Sequence, residues 1–414
     1  MANDKNSYNG NGKGNKEGFF KGITLNVILL GFVSLFTDLS SQMVFPLLPL
    51  YLTKVLGASA LIVGLVEGAA ESIASLLKVF SGYWSDKIEK RKPFILGGYG
   101  LSAIIKPLFA VTSGWGAVLA LRVIERVGKG IRNAPRDAIV AESCDECNRG
   151  KAYGVQRSMD GLGSVLGVLM ALFLFRIVGF GYREIFLIAA IPAFVAIIFI
   201  LFVREKRTED IKSESRSGLK GFRVSFSMLP RNLKLLIVTV SIFTFGNVGY
   251  AFLLLRAIDL GFEEEMAFML YAFYYVIYTL LIIPSGVVSD RIGRRPVLFM
   301  GYALFGLLCV GLMTVSTLPQ IVLLFGVYGI FFALTDGVQR AYVVDLAPPE
   351  LKATSIGAFH TAIGLTSLPA GLIAGGLWEG VSPETTFLFG SVMSFIAAFL
   401  LLFLKEGNKR DGVK

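Results

Sequence analysis

The stretch Gly286-Val-Val-Ser-Asp290-Arg291-Ile-Gly293-Arg294-Arg295 lies between two long apolar runs, and Gly82-Tyr-Trp-Ser-Asp86-Lys87 stands 204 residues before it. Arg136 and Arg340 repeat at that same offset of 204, and Gly154 and Gly357 at 203. Two agreements at 204 and a third one residue short of it predict a duplicated unit. The flanking runs say what kind: hydrophobic residues make up 54% of the 414, and charged residues only 17%. A soluble domain carries about 25% charge, and a bilayer-spanning helix needs roughly 20 apolar residues.

Working outward, apolar segments fall approximately at 24–51, 58–81, 93–112, 114–133, 150–175, 183–203, 233–256, 266–286, 296–316, 318–343, 353–378 and 383–405. The long polar stretch 204–232 divides them into two sets of six. The expected architecture is an all-α integral membrane protein of twelve transmembrane helices, arranged as two pseudo-symmetric six-helix bundles over 23–203 and 233–405. Parallel repeats of this sort are a transporter architecture. A polar Gly/Asn/Lys tail over 1–22 is expected to be disordered and has no signal-peptide pattern; 204–232 reads as a linker and 406–414 as a second tail.

The net charge of +10 raises nucleic acid as a partner, but the basic residues sit elsewhere than a nucleic-acid surface requires. About 30 of the 40 lie in the tails and the even-numbered loops, the positive-inside pattern. Both termini and the linker are therefore expected on the cytoplasmic side of a cell membrane. Expected partners are the lipid bilayer, a small-molecule substrate and protons, with the protein a monomer and nucleic acid excluded. Cys144-Asp-Glu-Cys147 is a CxxC, yet a zinc site normally takes four ligands and His360 is the one histidine. Two reduced thiols are expected there, with no metal and no cofactor. No paired nucleophile and base and no phosphate loop appears, so the reading is not an enzyme; Gly128-Lys129-Gly130 lacks the glycine five positions before Gly128 that such a loop requires.

On these residues the chain resembles the major facilitator superfamily from about residue 23 to 405. The family's Gly-x-x-x-Asp-Arg/Lys-x-Gly-Arg-Arg/Lys loop is complete in Gly286, Asp290, Arg291, Gly293, Arg294 and Arg295. The first copy keeps Gly82, Asp86, Lys87, Lys90 and Arg91, with Glu89 in place of the second glycine. The resemblance implies a gating loop whose contacts latch the outward-open state. Arg122-Val-Ile-Glu125-Arg126-Val-Gly128-Lys129-Gly130 is similar to the family's second motif, with Glu125 replacing Gln and Arg126 replacing Gly. The spacing of Gly154, Gly163 and Gly167 matches half of the antiporter motif, with Val168 in place of its proline; this favours export, and packing glycines explain it equally.

Charge inside a spanning helix costs several kcal/mol, roughly, and defaults to function with a partner. The candidates for substrate binding and proton coupling are Asp38, Gln42, Glu67, Glu71, Arg122, Glu125, Arg126, Arg157 and Asp160 in the first half, with Asn247, Tyr250, Asp336 and Arg340 in the second. The spacing puts Glu67, Glu71 and Lys78 on one helix face. Two readings stay open: an acid that titrates, with Asp38 preferred and Glu67/Glu71 next, or static pairs such as Glu125 with Arg122 and Asp160 with Arg157. Arg122 stays charged at any relevant pH. His360 is read as a helix contact ahead of a pH sensor. The expected function is a secondary active transporter of a small organic solute by alternating access, by proton-coupled efflux; the alternatives are coupled uptake of an organic anion or metabolite, and a non-transporting membrane sensor.

Overall fold

The computed structural model describes residues 24–88, 91–144, 149–204, 229–348 and 351–404. It is helical throughout, in the order α1 (Leu25–Val55), α2 (Ala60–Ile88), α3 (Lys92–Leu108), α4 (Trp115–Glu142), α5 (Arg149–Phe173), α6 (Tyr182–Phe202), α7 (Arg231–Asp259), α8 (Glu264–Ile292), α9 (Arg294–Thr314), α10 (Leu318–Leu346), α11 (Lys352–Gly380) and α12 (Pro383–Leu401). Among the described residues, eleven spans are long and apolar enough to cross a membrane. The exception is α4. At 28 residues it is long enough, but Arg122, Glu125, Arg126, Lys129, Arg132 and Arg136 interrupt its apolar surface. The tails 1–22 and 406–414, most of the linker 204–232, Glu89, Lys90 and Cys147 lie outside the described residues.

Several helices run past their apolar segments. α4 continues to Glu142 and not to 133, so Arg136 is inside the helix and not beyond it. α2 and α8 likewise reach Ile88 and Ile292, placing Gly82 and Gly286 within helices. The apolar run marks the hydrocarbon thickness; backbone hydrogen bonding carries the helix on into water.

Two helices are broken where the site needs them. In α1 the regular helix stops at Val44, just before Pro46 and Pro49. Proline lacks an N–H, so Pro49 cannot donate to the carbonyl four residues back, Phe45; the Tyr250 hydroxyl donates to that oxygen at 3.3 Å. In α7 the break falls at Asn247, whose side-chain oxygen accepts from the Gly249 N–H at 3.2 Å. Gly249 there takes φ +68°, which favours glycine.

Close approach of backbones holds the bundle, as expected where lipid removes the hydrophobic drive between helices. α2 packs against α11 along most of its length: a methyl added at Gly64 would lie 2.0 Å from the Gly371 carbonyl oxygen, and one at Gly375 would lie 2.5 Å from Leu61 Cα. Gly163 and Gly167 of α5 lie as close to the backbone of Leu35 and Leu39 in α1. Packing is thus a sufficient reason for those two glycines.

We call the side where α1 begins and α12 ends the terminal face, and the other the distal face. The larger apolar core joins both halves near the distal face, through residues such as Leu48, Tyr51, Phe252 and Phe268. A second core, around Leu30, Ile95, Tyr99 and Ile200, belongs to the first half at the terminal face. Two polar ties, Arg176 with Glu265 and Tyr182 with Glu264, close the distal end of α5 against α8. The same two helices part toward the terminal face. A methyl added at Gly161 would lie 3.1 Å from Thr279 Cγ2, whereas one at Gly154 or Gly286 would meet nothing within 4 Å. There is therefore open space beside α5 and α8 on the terminal side of Gly161. Gly64→Ala is expected to lower thermal stability of the purified protein by about 1–3 kcal/mol, and Gly286→Ala to stay within about 0.5 kcal/mol; equal unfolding temperatures for the two would contradict this packing.

Candidate functional site

α4 presents two different faces. Glu125, Gly128, Arg132 and Pro135 are buried, and the contacts that Gly128 and Arg132 make are with α3. A methyl on Gly128 would sit 2.7 Å from the Gly98 carbonyl oxygen, and Arg132 donates to Ser102 Oγ at 2.7 Å while lying 4.2 Å from the Tyr99 ring centroid. The other face carries Arg122, Arg126, Lys129, Asn133 and Arg136, at successive steps of four, three, four and three residues. That periodicity makes one continuous stripe, and below Arg122 it is half-buried, not sealed.

Arg122 anchors the top of the stripe. Its side chain is fully buried, and one guanidinium nitrogen donates to both oxygens of Glu67 in α2, at 2.9 and 3.2 Å. Glu125 lies 3.7 Å from both Arg122 and Arg126, beyond hydrogen-bond length. Phe45 lies under both arginines, its centroid 3.8 Å from the Arg122 guanidinium carbon and 5.3 Å from that of Arg126. Such stacking favours a desolvated cation. Tyr250 lies beside Glu67, its hydroxyl donating to the Phe45 carbonyl, so α1, α2, α4 and α7 meet here. Glu71 departs from this group: its carboxylate accepts from Ser75 at 3.1 Å, and it faces the charges of Lys78, Arg126 and Lys129.

Asp38 has no hydrogen bond or ion pair among the described residues. It is half-buried on α1 and faces Lys129, Arg132 and Arg136 of α4 and Asp160 of α5. Behind it Lys106 of α3, with no solvent exposure, donates to Ser40 Oγ at 2.9 Å and to the Thr37 carbonyl at 3.3 Å. Nearer the terminal face, Arg136 bonds Asp137 at 3.0 Å and Ser34 at 3.3 Å and approaches Asp160 at 4.0 Å. Arg157 is 3.7 Å from Asp160 with its side chain 60% exposed, so that pair is loose and wet.

The second half offers an aromatic wall. Gln42 of α1 donates to the Tyr275 hydroxyl at 3.1 Å and accepts from Tyr271 at 3.0 Å, crossing to α8. Tyr278, one turn on, donates to Asp336 at 3.2 Å, and Asp336 pairs with Arg340 at 2.8 Å on α10. Asn247 does not join: its side-chain oxygen is spent on the α7 break. His360 packs edge-on against Phe359 at 5.2 Å.

In the second gating loop, Gly293 takes φ +102°, a conformation that favours glycine. Arg294 bonds Asp290 beside it, Ser289 at 2.5 Å and Asp345 of α10 at 3.1 Å, while Arg295 caps the Leu404 carbonyl at 2.8 Å. These contacts tie α8, α9 and α10 of one half together. Arg291 is exposed. Arg91, in the first copy, pairs with Glu142 at the end of α4. The side chains of Gly82, Asp86 and Lys87 lie outside the described residues.

Three groups near the site escaped the sequence reading. Lys129 was set aside with its glycines, although the four-three spacing from Arg122 marks it as a stripe member. Tyr271, Tyr275 and Tyr278 share a helical face at steps of four and three, the signal that would have found them. Lys106 has no local signal for its contact with α1.

The Major Facilitator Superfamily profile matches residues 30–274 and 235–414. An uncharacterised MFS-type transporter of Methanocaldococcus jannaschii is 42% identical over 388 residues, covering 92% of this chain and 95% of the relative. The fosmidomycin resistance protein of Escherichia coli is 24% identical, covering 92% and 94%. The crystal structure of the nucleoside transporter NupG superposes with a TM-score of 0.74 at 16% identity, over 92% of this chain and 99% of that one; that likeness speaks for the fold. Profile and sequence identity over nearly the whole length assign the chain: it belongs to the Major Facilitator Superfamily and is a multi-pass membrane transporter.

Proposed function

We propose that this protein is a proton-coupled transporter of a small organic anion, moved by alternating rocking of two bundles, 23–203 and 233–405, with both termini cytoplasmic. The observation that carries the anion is the stripe on α4. Arg122 is engaged by Glu67, but the Arg126 and Lys129 cations one and two turns on make no hydrogen bond among the described residues. They face a cleft, where a ligand carboxylate or phosphonate would complete their coordination. Charge-assisted hydrogen bonds to a guanidinium are the strong ones, so this stripe favours an anion over a cation or a polyol.

Asp38 is the coupling group in this reading. It faces Lys129, Arg132 and Arg136 from α4, Lys106 from α3, Asp160 from α5 and Tyr275 from α8. A carboxylate so placed competes with a substrate anion for the same cations. Protonating it frees Lys129 for substrate, so proton and anion bind together and cross in the same direction, which links the two fluxes through one set of cations. Under an inward proton gradient this co-binding favours coupled uptake of the anion. Export is the second reading, supported by the half-complete antiporter glycines and by the resistance relative.

In liposomes with an imposed pH gradient, the wild-type protein is expected to concentrate an organic anion and Asp38→Asn to lose that concentration at least about tenfold while still exchanging anion for anion. Normal concentration by Asp38→Asn would overturn the coupling assignment. Arg126→Gln should weaken anion binding about tenfold, as one charge-assisted hydrogen bond implies, with thermal stability little changed. Arg122→Gln should instead cost about 3–5 kcal/mol of stability, because it strands the Glu67 carboxylate; the two variants behaving alike in unfolding measurements would sink the division of roles.

A further inference from the structure

We infer that the carried anion has a planar, conjugated or aromatic body, held flat against the tyrosine wall of α8 while its anionic group sits on Arg126 and Lys129. This rests on the anion reading above and adds the shape and electronic character of the substrate.

The two walls of the cleft differ in kind. The α4 side is cationic. The facing side is made of tyrosine rings that touch one another in sequence: Tyr250 lies 5.4 Å from Tyr271, Tyr271 6.0 Å from Tyr275 with planes 28° apart, and Tyr275 5.5 Å from Tyr278. Tyr271 is buried as backing, whereas Tyr250, Tyr275 and Tyr278 keep part of their surface open. Gln42 holds the hydroxyls of Tyr271 and Tyr275, and Asp336 holds that of Tyr278. With those hydroxyls engaged and the rings fixed, ring faces and edges are what the wall offers a solute.

Tyr250 ties the two walls into one site. It lies in the field of Glu67, Arg122 and Arg126, donates to the Phe45 carbonyl and packs on Tyr271. A fixed aromatic wall binds a flat π-system by offset or edge-to-face stacking, beyond what apolar area alone gives. It does so at small conformational cost, because tyrosine has two side-chain torsions to lose. A saturated ring of equal size keeps the area and loses the quadrupole.

The test is equilibrium binding to the purified full chain, read as thermal protection and by titration, with 2-naphthoate, decahydronaphthalene-2-carboxylate and 2-naphthamide as probes. The saturated acid is the more hydrophobic, so area alone favours it. The expected result is 2-naphthoate binding at least about fivefold tighter than either other probe. Tyr275→Leu should bring the two acids to equal affinity, and Tyr275→Phe should keep the preference. Equal affinity of the two acids for the wild-type protein would overturn the planar-body inference while leaving the anion reading intact. Equal affinity of 2-naphthamide and 2-naphthoate, or no binding of any acid, would overturn both. If Tyr275→Leu fails to fold, the wild-type ratio and Tyr275→Phe still decide.

Discussion

A guanidinium with no exposure to solvent, held in the middle of a membrane bundle, constrains everything around it. Arg122 cannot shed its proton and cannot reach water, so the fold must bring its countercharge to it. Glu67 comes from α2, Glu125 from the same helix, and the Phe45 ring from a proline-broken stretch of α1. Each partner is positioned by a feature with its own cause: the glycine-lined seam that lets α2 lie against α11, the prolines that end regular α1, and Asn247 and Gly249, which bend α7 and bring in Tyr250. Removing Arg122 would leave Glu67 without its compensation, which is why Arg122 reads as the anchor.

The same constraint explains why α4 is the one long helix that composition does not mark as membrane-spanning. Its charge is sorted by face. Arg132 is bonded to α3 through Ser102, while Arg126, Lys129 and Arg136 are half-buried on the other face. A helix so charged is tolerated at this depth because its irregular polarity faces protein and cleft, not hydrocarbon. The distal ties between α5 or α6 and α8, against the open positions at Gly154 and Gly286, give that cleft one mouth. The second gating loop, bonded within its own half around Arg294, is in keeping with α5 and α8 being apart there.

Much of this was legible in the chain alone, and the parts that were not share a reason. The repeat at 204 residues and the twelve apolar runs follow from composition along the sequence, so helix order was readable. Helix ends were not, since Gly82 and Arg136 continue a helix beyond the apolar run that announces it. Asp38, Arg122, Glu125 and Arg126 stood out because charge in an apolar segment is costly whatever its partner. Which acid pairs with which base depends on interhelical distance: Arg122 chose Glu67, 55 residues away, at 2.9 Å over Glu125 at 3.7 Å. The α8 tyrosines were overlooked because tyrosine in an apolar run costs little and raises no alarm; only the facing α4 stripe gives them meaning. Asn247 carries a role that its position alone does not announce, its oxygen accepting from the Gly249 N–H at the α7 break.

The central claim is that α4 carries its charge along a water-filled cleft reached from one face at a time. The most direct measurement labels single cysteines at positions 129, 133 and 136, and at 128 and 132, with a membrane-impermeant thiol reagent added to one side of oriented vesicles, after Cys144, Cys147 and Cys309 are replaced by serine. The account predicts that 129, 133 and 136 react from the side of the termini, that 128 and 132 do not, and that an opposing substrate gradient moves reactivity at 129 toward the distal side. Equal reactivity of both sets, or of neither from either side, would contradict it.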